Sequence, residues 1–173
     1  MSAVEEHKGY APKVLGFAAI TVSDSRRPEN DASGETIRRL AEAAGHRVAE
    51  VVIVKDELRE IRQAIERLLA TEGVDVVVLS GGTGFSPRDV TLRAVRILLD
   101  VEIEGFGELF RQLSFRQVGA AAMLSRATAG LAEGRAIFVL PGSPKAVELG
   151  MSELILPEAG HLLGQARRVA PTS

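Results

Sequence analysis

Apolar residues run almost without a break over positions 14–22 (Val-Leu-Gly-Phe-Ala-Ala-Ile-Thr-Val), the pattern of a strand buried on both faces of a largely parallel sheet. After a polar loop over 23–32, Ser33 is placed to cap a helix. Its Ile37, Leu40, Ala41 and Ala44 fall on one face, and Gly45 closes it. Positions 48–54 are rich in β-branched residues and predict a second strand. A second helix follows Asp56, with Leu58, Ile61, Ile65, Leu68 and Leu69 on its apolar stripe, and ends at Gly73. The most hydrophobic stretch, 74–79, reads as a central strand, and helical spacing returns over 87–99 with Pro87 suited to a first helical position.

The order strand, helix, strand, helix, strand, loop, helix implies right-handed crossovers. The expected fold is therefore a three-layer α/β/α, doubly wound, mostly parallel sheet. Between 102 and 130, Phe106, Leu109, Phe110 and Leu113 suggest a helix near 107–117 that Gly105, Gly107 and Gly119 interrupt. A last strand over 136–140 ends in Pro141-Gly142-Ser143-Pro144, and two helical segments separated by Pro157 follow. One domain is expected over 13–168, with 1–12 a flexible N-terminal segment and 169–173 a tail. In doubly wound sheets ligands sit beyond the carboxyl ends of the strands, so Asp24, Asp56 and the segment 81–89 should converge on one rim.

The chain's 173 residues are 46% apolar, enough for a sizeable core. Lys plus Arg (21) nearly balances Asp plus Glu (23), which argues against a broad cationic surface for nucleic acid and leaves local anion sites open. Cysteine is absent, excluding disulfides, thiolate metal sites and cysteine nucleophiles. No window is apolar enough to span a bilayer and positions 1–12 hold no run of signal-peptide length, so no membrane association and a cytoplasmic location are expected. His7, His46 and His161 lie far apart, with no partner at metal-ligand spacing.

Candidate chemistry concentrates in Ser80-Gly81-Gly82-Thr83-Gly84-Phe85-Ser86-Pro87-Arg88-Asp89, which joins a buried strand to a helix start. There, backbone N–H groups and the helix dipole attract phosphate. It is neither a P-loop nor a dinucleotide fingerprint, and three glycines after a strand equally describe a tight turn. A carboxylate such as Asp89 aimed at a phosphate requires an intervening cation, for which magnesium is suited; otherwise it is an acid favoured in a first helical turn. Asp56 has the same two readings, as a metal or catalytic acid or as the N-cap of the second helix. Arg88 is either a bidentate phosphate ligand or a solubilising surface charge. Ser143 and Lys145 follow Pro-Gly at a strand end, and Asp24 and Asp31 flank the first rim loop; all four also fit turn or capping roles.

Taken together, Thr-Val-Ser-Asp-Ser-Arg at 21–26, Ser33-Gly34, Gly-Gly-Thr-Gly-x-x-x-Arg-Asp-Val-Thr at 81–91, Glu-Gly-Phe-Gly-Glu at 104–108, Leu-Ser-Arg at 124–126 and Leu-Pro-Gly-Ser at 140–143 resemble the MoaB/MogA family of molybdenum cofactor proteins. The resemblance spans nearly the whole chain, and the stretch beginning at Glu104 looks closer to the MoaB branch. It implies a molybdopterin-binding fold, usually trimeric and in some MoaB proteins hexameric. It also implies magnesium-dependent transfer of AMP from ATP to the terminal phosphate of molybdopterin, with hand-over to a molybdate-inserting MoeA-type protein. By the same resemblance Asp56 and Asp89 are the catalytic and magnesium-binding acids. Ser23, Asp24, Ser80, Gly81, Gly82, Thr83, Gly84, Arg88, Ser125, Pro141, Gly142 and Ser143 are then substrate-binding. Some MoaB proteins lack the Arg-Asp-x-Thr part of the loop; this chain keeps it as Arg88-Asp89-Val90-Thr91, favouring an active enzyme. The competing functions are a non-catalytic molybdopterin carrier, a catalytically silent paralogue, and a nucleotide pyrophosphatase resembling the CinA family.

Overall fold

The computed structural model describes residues 12–167, so the expected N-terminal segment, apart from Pro12, and the tail at 169–173 lie outside the described residues. Strand β1 (Gly16–Val22) leads through a 3-10 turn (Pro28–Asn30) to helix α1 (Ala32–Ala43). Strand β2 (Arg47–Val54) leads to α2 (Leu58–Leu69), and β3 (Val76–Ser80) leads through the glycine loop to α3 (Thr91–Arg96). The second half holds β4 (Val101–Glu102), α4 (Glu104–Val118), a 3-10 turn (Gly119–Leu124), β5 (Thr128–Ala132) and β6 (Arg135–Leu140). Helix α5 (Pro144–Gly150), a π-helical turn (Met151–Ile155) and α6 (Leu156–Ala166) complete it.

The six strands lie in the order β2-β1-β3-β6-β5-β4. The first four are mutually parallel, and β5 runs antiparallel to both of its neighbours, β6 and β4. Because successive side chains alternate faces, the buried strands supply two separate cores. Phe17, Ala19, Val76, Val78 and Phe138 pack with α1, α4, α5 and α6. Ala18, Ile20, Val77, Leu79 and Ile137 pack with α2 and α3 on the other face. This two-sided burial is why these strands read as continuous apolar runs, and full burial of a side chain such as Ile20 or Leu79 is worth about 1.5–3 kcal/mol. The expected three-layer, doubly wound architecture is the one observed. The chain leaves β1 for β2 on one side and returns to β3 on the other, so the crevice at the carboxyl ends of β1 and β3 is a topological switch point.

Several local expectations are corrected. Helix α1 is capped by Asp31, whose carboxylate accepts from the N–H of Gly34 at 2.9 Å, and not by Ser33, which lies inside the helix. Helix α3 begins only at Thr91, leaving Pro87 in the loop, because the side chain of Asp89 folds back onto the N–H of Ser86 instead of opening a helix. Helix α4 starts at Glu104 and runs through Gly105 and Gly107; Phe106 and Phe110 anchor it in the core and outweigh the glycines' poor helix propensity. Pro157 does not separate two segments: the backbone stays helical from Pro144, and the π turn widens the coil just before the residue that lacks an N–H. Strands β4 and β5 were not expected.

Candidate active site

Loops after β1, β2, β3 and β6 meet on one rim, as the strand order requires. Gly81 and Gly82 both have positive φ, 96° and 61°. A Cβ on Gly82 would lie 2.2 Å from Thr91 Oγ1 and 2.9 Å from both carboxylate oxygens of Asp56. The glycine backbone therefore lies directly against an acid, and only glycine fits both the space and the angle. A Cβ on Gly84 would lie 2.8 Å from Asp89 Oδ2, so the second acid packs against the other end of the loop. Gly81 N–H donates to Leu140 O at 3.1 Å. Its Cα also packs on Gly142, which fixes the Pro141-Gly142 segment against the loop.

Neither acid plays the structural role open to it from sequence. Asp56 does not cap α2, where Glu57 holds the N-cap position; its Oδ1 accepts from the N–H of Val90 at 3.2 Å. Asp89 lies outside α3, with Oδ2 accepting from Ser86 N–H at 2.8 Å. Asp24 accepts from the N–H of Asp56 at 3.3 Å and from Arg88 Nη2 at 2.7 Å, so Arg88 is held in an ion pair across the rim. Burial pushes the Asp56 carboxyl above the ordinary value of 3.8, with the Asp89 and Asp24 charges acting in the same direction; the Val90 N–H and Arg88 oppose them. Like charges gathered at one place disfavour ionisation unless a cation joins them.

Ser23 shapes the first loop, its Oγ accepting from Ser25 and Arg26 N–H groups at 3.3 and 3.2 Å. Ser80 is fully buried, and its Oγ and that of Thr91 have no hydrogen-bond partner among the described residues. Thr83 is buried within the loop. Asp31 is buried and structural, accepting from Thr21 Oγ1 as well as capping α1. Ser33 donates to Gly142 O at 2.9 Å, and Ser143 caps α5 by accepting from Ala146 N–H at 3.2 Å.

Two clefts open at this end of the sheet. One of about 630 Å³ is lined by Ser23, Asp24, Arg27, Ile53 and Lys55. The other, of about 880 Å³, is lined by Ser114, Ser125, Pro141, Ser143 and Lys145. Of the residues expected at the site, Asp24, Asp56, Arg88 and Asp89 meet at the glycine loop and Gly142 packs on it, while Ser23 lies on the first cleft and Ser125, Pro141 and Ser143 line the second. Arg126 was not among them, although it lies in the Leu-Ser-Arg motif: its Nη1 donates to Gly84 O at 2.7 Å and its guanidinium covers the Phe85 ring at 5.3 Å.

Among the described residues no three His, Asp or Glu side chains are grouped to hold a metal by themselves. A pair of hard carboxylates beside a glycine backbone nevertheless fits magnesium, which is ordinarily held by one or two carboxylates together with substrate phosphates. No helix among the described residues is long and apolar enough to cross a membrane.

Residues 18–161 match the family described as "Probable molybdopterin binding domain". The chain is 48% identical over 161 residues to "Molybdenum cofactor biosynthesis protein B" of Halalkalibacterium halodurans, covering 92% of this chain and 95% of that protein. A crystal structure of a "Molybdenum cofactor biosynthesis protein B" superposes with a TM-score of 0.88 at 47% identity, covering 92% of this chain and 99% of the other. The "tungsten cofactor synthesizing protein MoaB from Pyrococcus furiosus" superposes with a TM-score of 0.82 at 39% identity, covering 91% of this chain and all of the other (100%).

Proposed function

Because the chain belongs to this molybdopterin-binding family, in its MoaB branch, we propose that it acts in molybdenum cofactor biosynthesis as a magnesium-dependent molybdopterin adenylyltransferase. In this reaction a terminal phosphate oxygen of molybdopterin bonds to the α-phosphorus of ATP, the bond from that phosphorus to the bridging oxygen breaks, and pyrophosphate leaves. The observation that carries the reading is the pair of carboxylates, Asp56 and Asp89, packed against the two ends of a glycine backbone at a strand-end switch point.

Phosphoryl and nucleotidyl transfers depend chiefly on positioning and charge neutralisation. The positive-φ glycines let phosphate oxygens approach the backbone closely. Asp56 and Asp89 would hold magnesium, which would neutralise charge on the triphosphate. Bound magnesium would also favour the ionised form of Asp56 over the protonated form that burial and neighbouring acids promote. Arg88, tethered through Asp24 beside Asp56, is placed to turn toward a phosphate. The two clefts give room for the two organic parts of the substrates. A cytoplasmic location, a trimeric assembly and hand-over to a molybdate-inserting partner of the MoeA type belong to the same proposal.

Incubation of the purified protein with molybdopterin, ATP and magnesium, followed by mass spectrometry of the pterin, tests it. Adenylylated molybdopterin and stoichiometric pyrophosphate are expected. Tight molybdopterin binding with no adenylylated product would leave a carrier, and release of AMP without adenylylated pterin would indicate a pyrophosphatase.

A further inference from the structure

We propose that Arg126 is a positioning residue that latches the glycine loop and thereby sets the place of the Asp89 carboxylate; the role given to Asp89 rests on the proposed adenylyl transfer. Arg126 comes from the segment between the 3-10 turn at Gly119–Leu124 and β5, in the antiparallel part of the sheet and 42 residues from the loop it touches. Its guanidinium makes two contacts there. Nη1 donates to Gly84 O at 2.7 Å, a charge-assisted bond, and the planar group lies 5.3 Å from the centroid of the Phe85 ring.

Without that cover Phe85, already 67% exposed, would have little to hold it at the loop tip. The other ties of the loop are either local, as are Asp89 to the N–H of Ser86, Asp89 N–H to Ser86 O and Thr91 N–H to Gly82 O, or join its two ends to the body of the fold, as do Gly81 N–H to Leu140 O, Arg88 to Asp24 and Val90 N–H to Asp56. None of these connects Gly84 or Phe85 to the body of the fold, whereas Arg126 does. Since the Asp89 carboxylate lies against the Gly84 Cα, the peptide that Arg126 fixes is the surface on which the acid rests. Lysine cannot reproduce the arrangement, because one ammonium cannot both donate to the carbonyl and lay a planar cation on the ring.

Hydrogen exchange by NMR on the full chain, compared among wild type, Arg126→Ala and Arg126→Lys, reads the latch without substrate. Ser86 N–H reports the Asp89 carboxylate directly. In Arg126→Ala it should exchange faster on the order of tenfold, as for loss of one charge-assisted hydrogen bond, with β1, β3 and β6 amides unchanged. Arg126→Lys should fall between, and it keeps the test available if the alanine variant does not fold. Unchanged Ser86 exchange in a folded variant would overturn the latch.

The second arm uses adenylyl transfer. Arg126→Ala should lower kcat by about tenfold or more with KM for ATP nearly unchanged, and adding it to Asp89→Asn should cause no further loss, because both act through one group. Independent, multiplying losses would show that Arg126 acts on the substrate itself and would overturn the positioning role. If wild type forms no adenylylated product, the proposed function fails while the exchange result still decides the latch.

Discussion

Asp56 Oδ1 accepts a hydrogen bond from the backbone N–H of Val90 at 3.2 Å, tying the end of β2 to the residue that closes the glycine loop. The acid is thus held by one neutral donor while burial and two neighbouring carboxylates work against its charge. A carboxyl whose folded pKa is raised stabilises the fold below its unfolded value, and that contribution is lost as pH rises through the folded pKa. Asp56→Asn keeps an acceptor for Val90 and removes the charge. Its ligand-free thermal midpoint at pH 7 should therefore exceed that of wild type, and the gap should shrink as pH falls toward 3.8. Adenylyl transfer should nevertheless drop by about a hundredfold or more, as expected for loss of a hard metal ligand. Scanning calorimetry at pH 4 and 7 beside single-turnover assays checks both halves; wild-type turnover would refute the catalytic role.

Asp89→Asn separates the two readings of the second acid. Its carboxylate contacts the loop's own backbone, and asparagine can still accept from Ser86 N–H, so unfolding should shift little. Turnover should fall by about two orders of magnitude or more, while molybdopterin affinity should hold or rise because a repulsive charge has gone. Chelating magnesium from wild type should abolish transfer and leave molybdopterin binding in place. Titration of molybdopterin binding with and without chelator, next to product formation, decides this.

A trimer is expected in solution. Leu109, Phe115 and Val118 on α4 and Met123 and Leu124 on the following turn are all at least half exposed, giving an apolar surface that packing against other copies would cover. Light scattering should give three times the 18.5 kDa chain mass, and Phe115→Glu should lower it. A wild-type monomer at micromolar concentration would refute the assembly.

His46 offers a stability test remote from the site. Its Nδ1 accepts from Leu15 N–H at 3.3 Å and its ring stacks on Phe17 at 5.2 Å, an arrangement that uses the neutral ring. Burial holds its pKa below the ordinary 6.5, so the fold is fully favoured above 6.5 and loses that stability as pH falls from there through the folded pKa. Denaturant midpoints at pH 7.5 and 5.5 should fall further apart for wild type than for His46→Gln, which keeps an acceptor without titrating.

The parallel half of the fold was legible because two-sided burial writes continuous apolar runs, as at β1 and β3. Strand β5, Thr-Ala-Gly-Leu-Ala, carries small residues because β4 approaches closely: a Cβ on Gly130 would lie 2.4 Å from Val101 O, and such a segment has no hydrophobic signature. Its hairpin to β6 was signalled only by Glu133-Gly134, both at positive φ, as a two-residue turn requires. At the site, the strand-end rule placed Asp24, Asp56 and the loop together. What it could not give was side-chain direction. Asp31 and Asp56 both stand in loops just before helices, yet one caps its helix and the other faces the glycines. Arg126 was invisible to spacing because its contact crosses from another part of the sheet.

Gly82 and Gly84 test the cradle in different ways. Gly82→Val meets Thr91 Oγ1 and Asp56 and also forces a β-branched residue to φ near 61°, so it should cost about 1–3 kcal/mol of stability as well as ligand affinity. Loss of binding in that variant alone would be ambiguous. Gly84 has no positive φ, and the three atoms nearest an added methyl would all belong to the Asp89 carboxylate, at 2.8–3.1 Å. That carboxylate is the far end of a short side chain on a loop and can move aside. Gly84→Ala should therefore fold with a thermal midpoint close to wild type while displacing Asp89 from the loop. Molybdopterin affinity should change little, and adenylyl transfer should fall by about tenfold or more, because misplacing a reacting or metal-holding group by a fraction of an ångström is costly. Thermal unfolding, molybdopterin titration and single-turnover product formation on the same preparation check it. Full turnover in a folded Gly84→Ala protein would mean that the contact between Gly84 and Asp89 does not govern the chemistry.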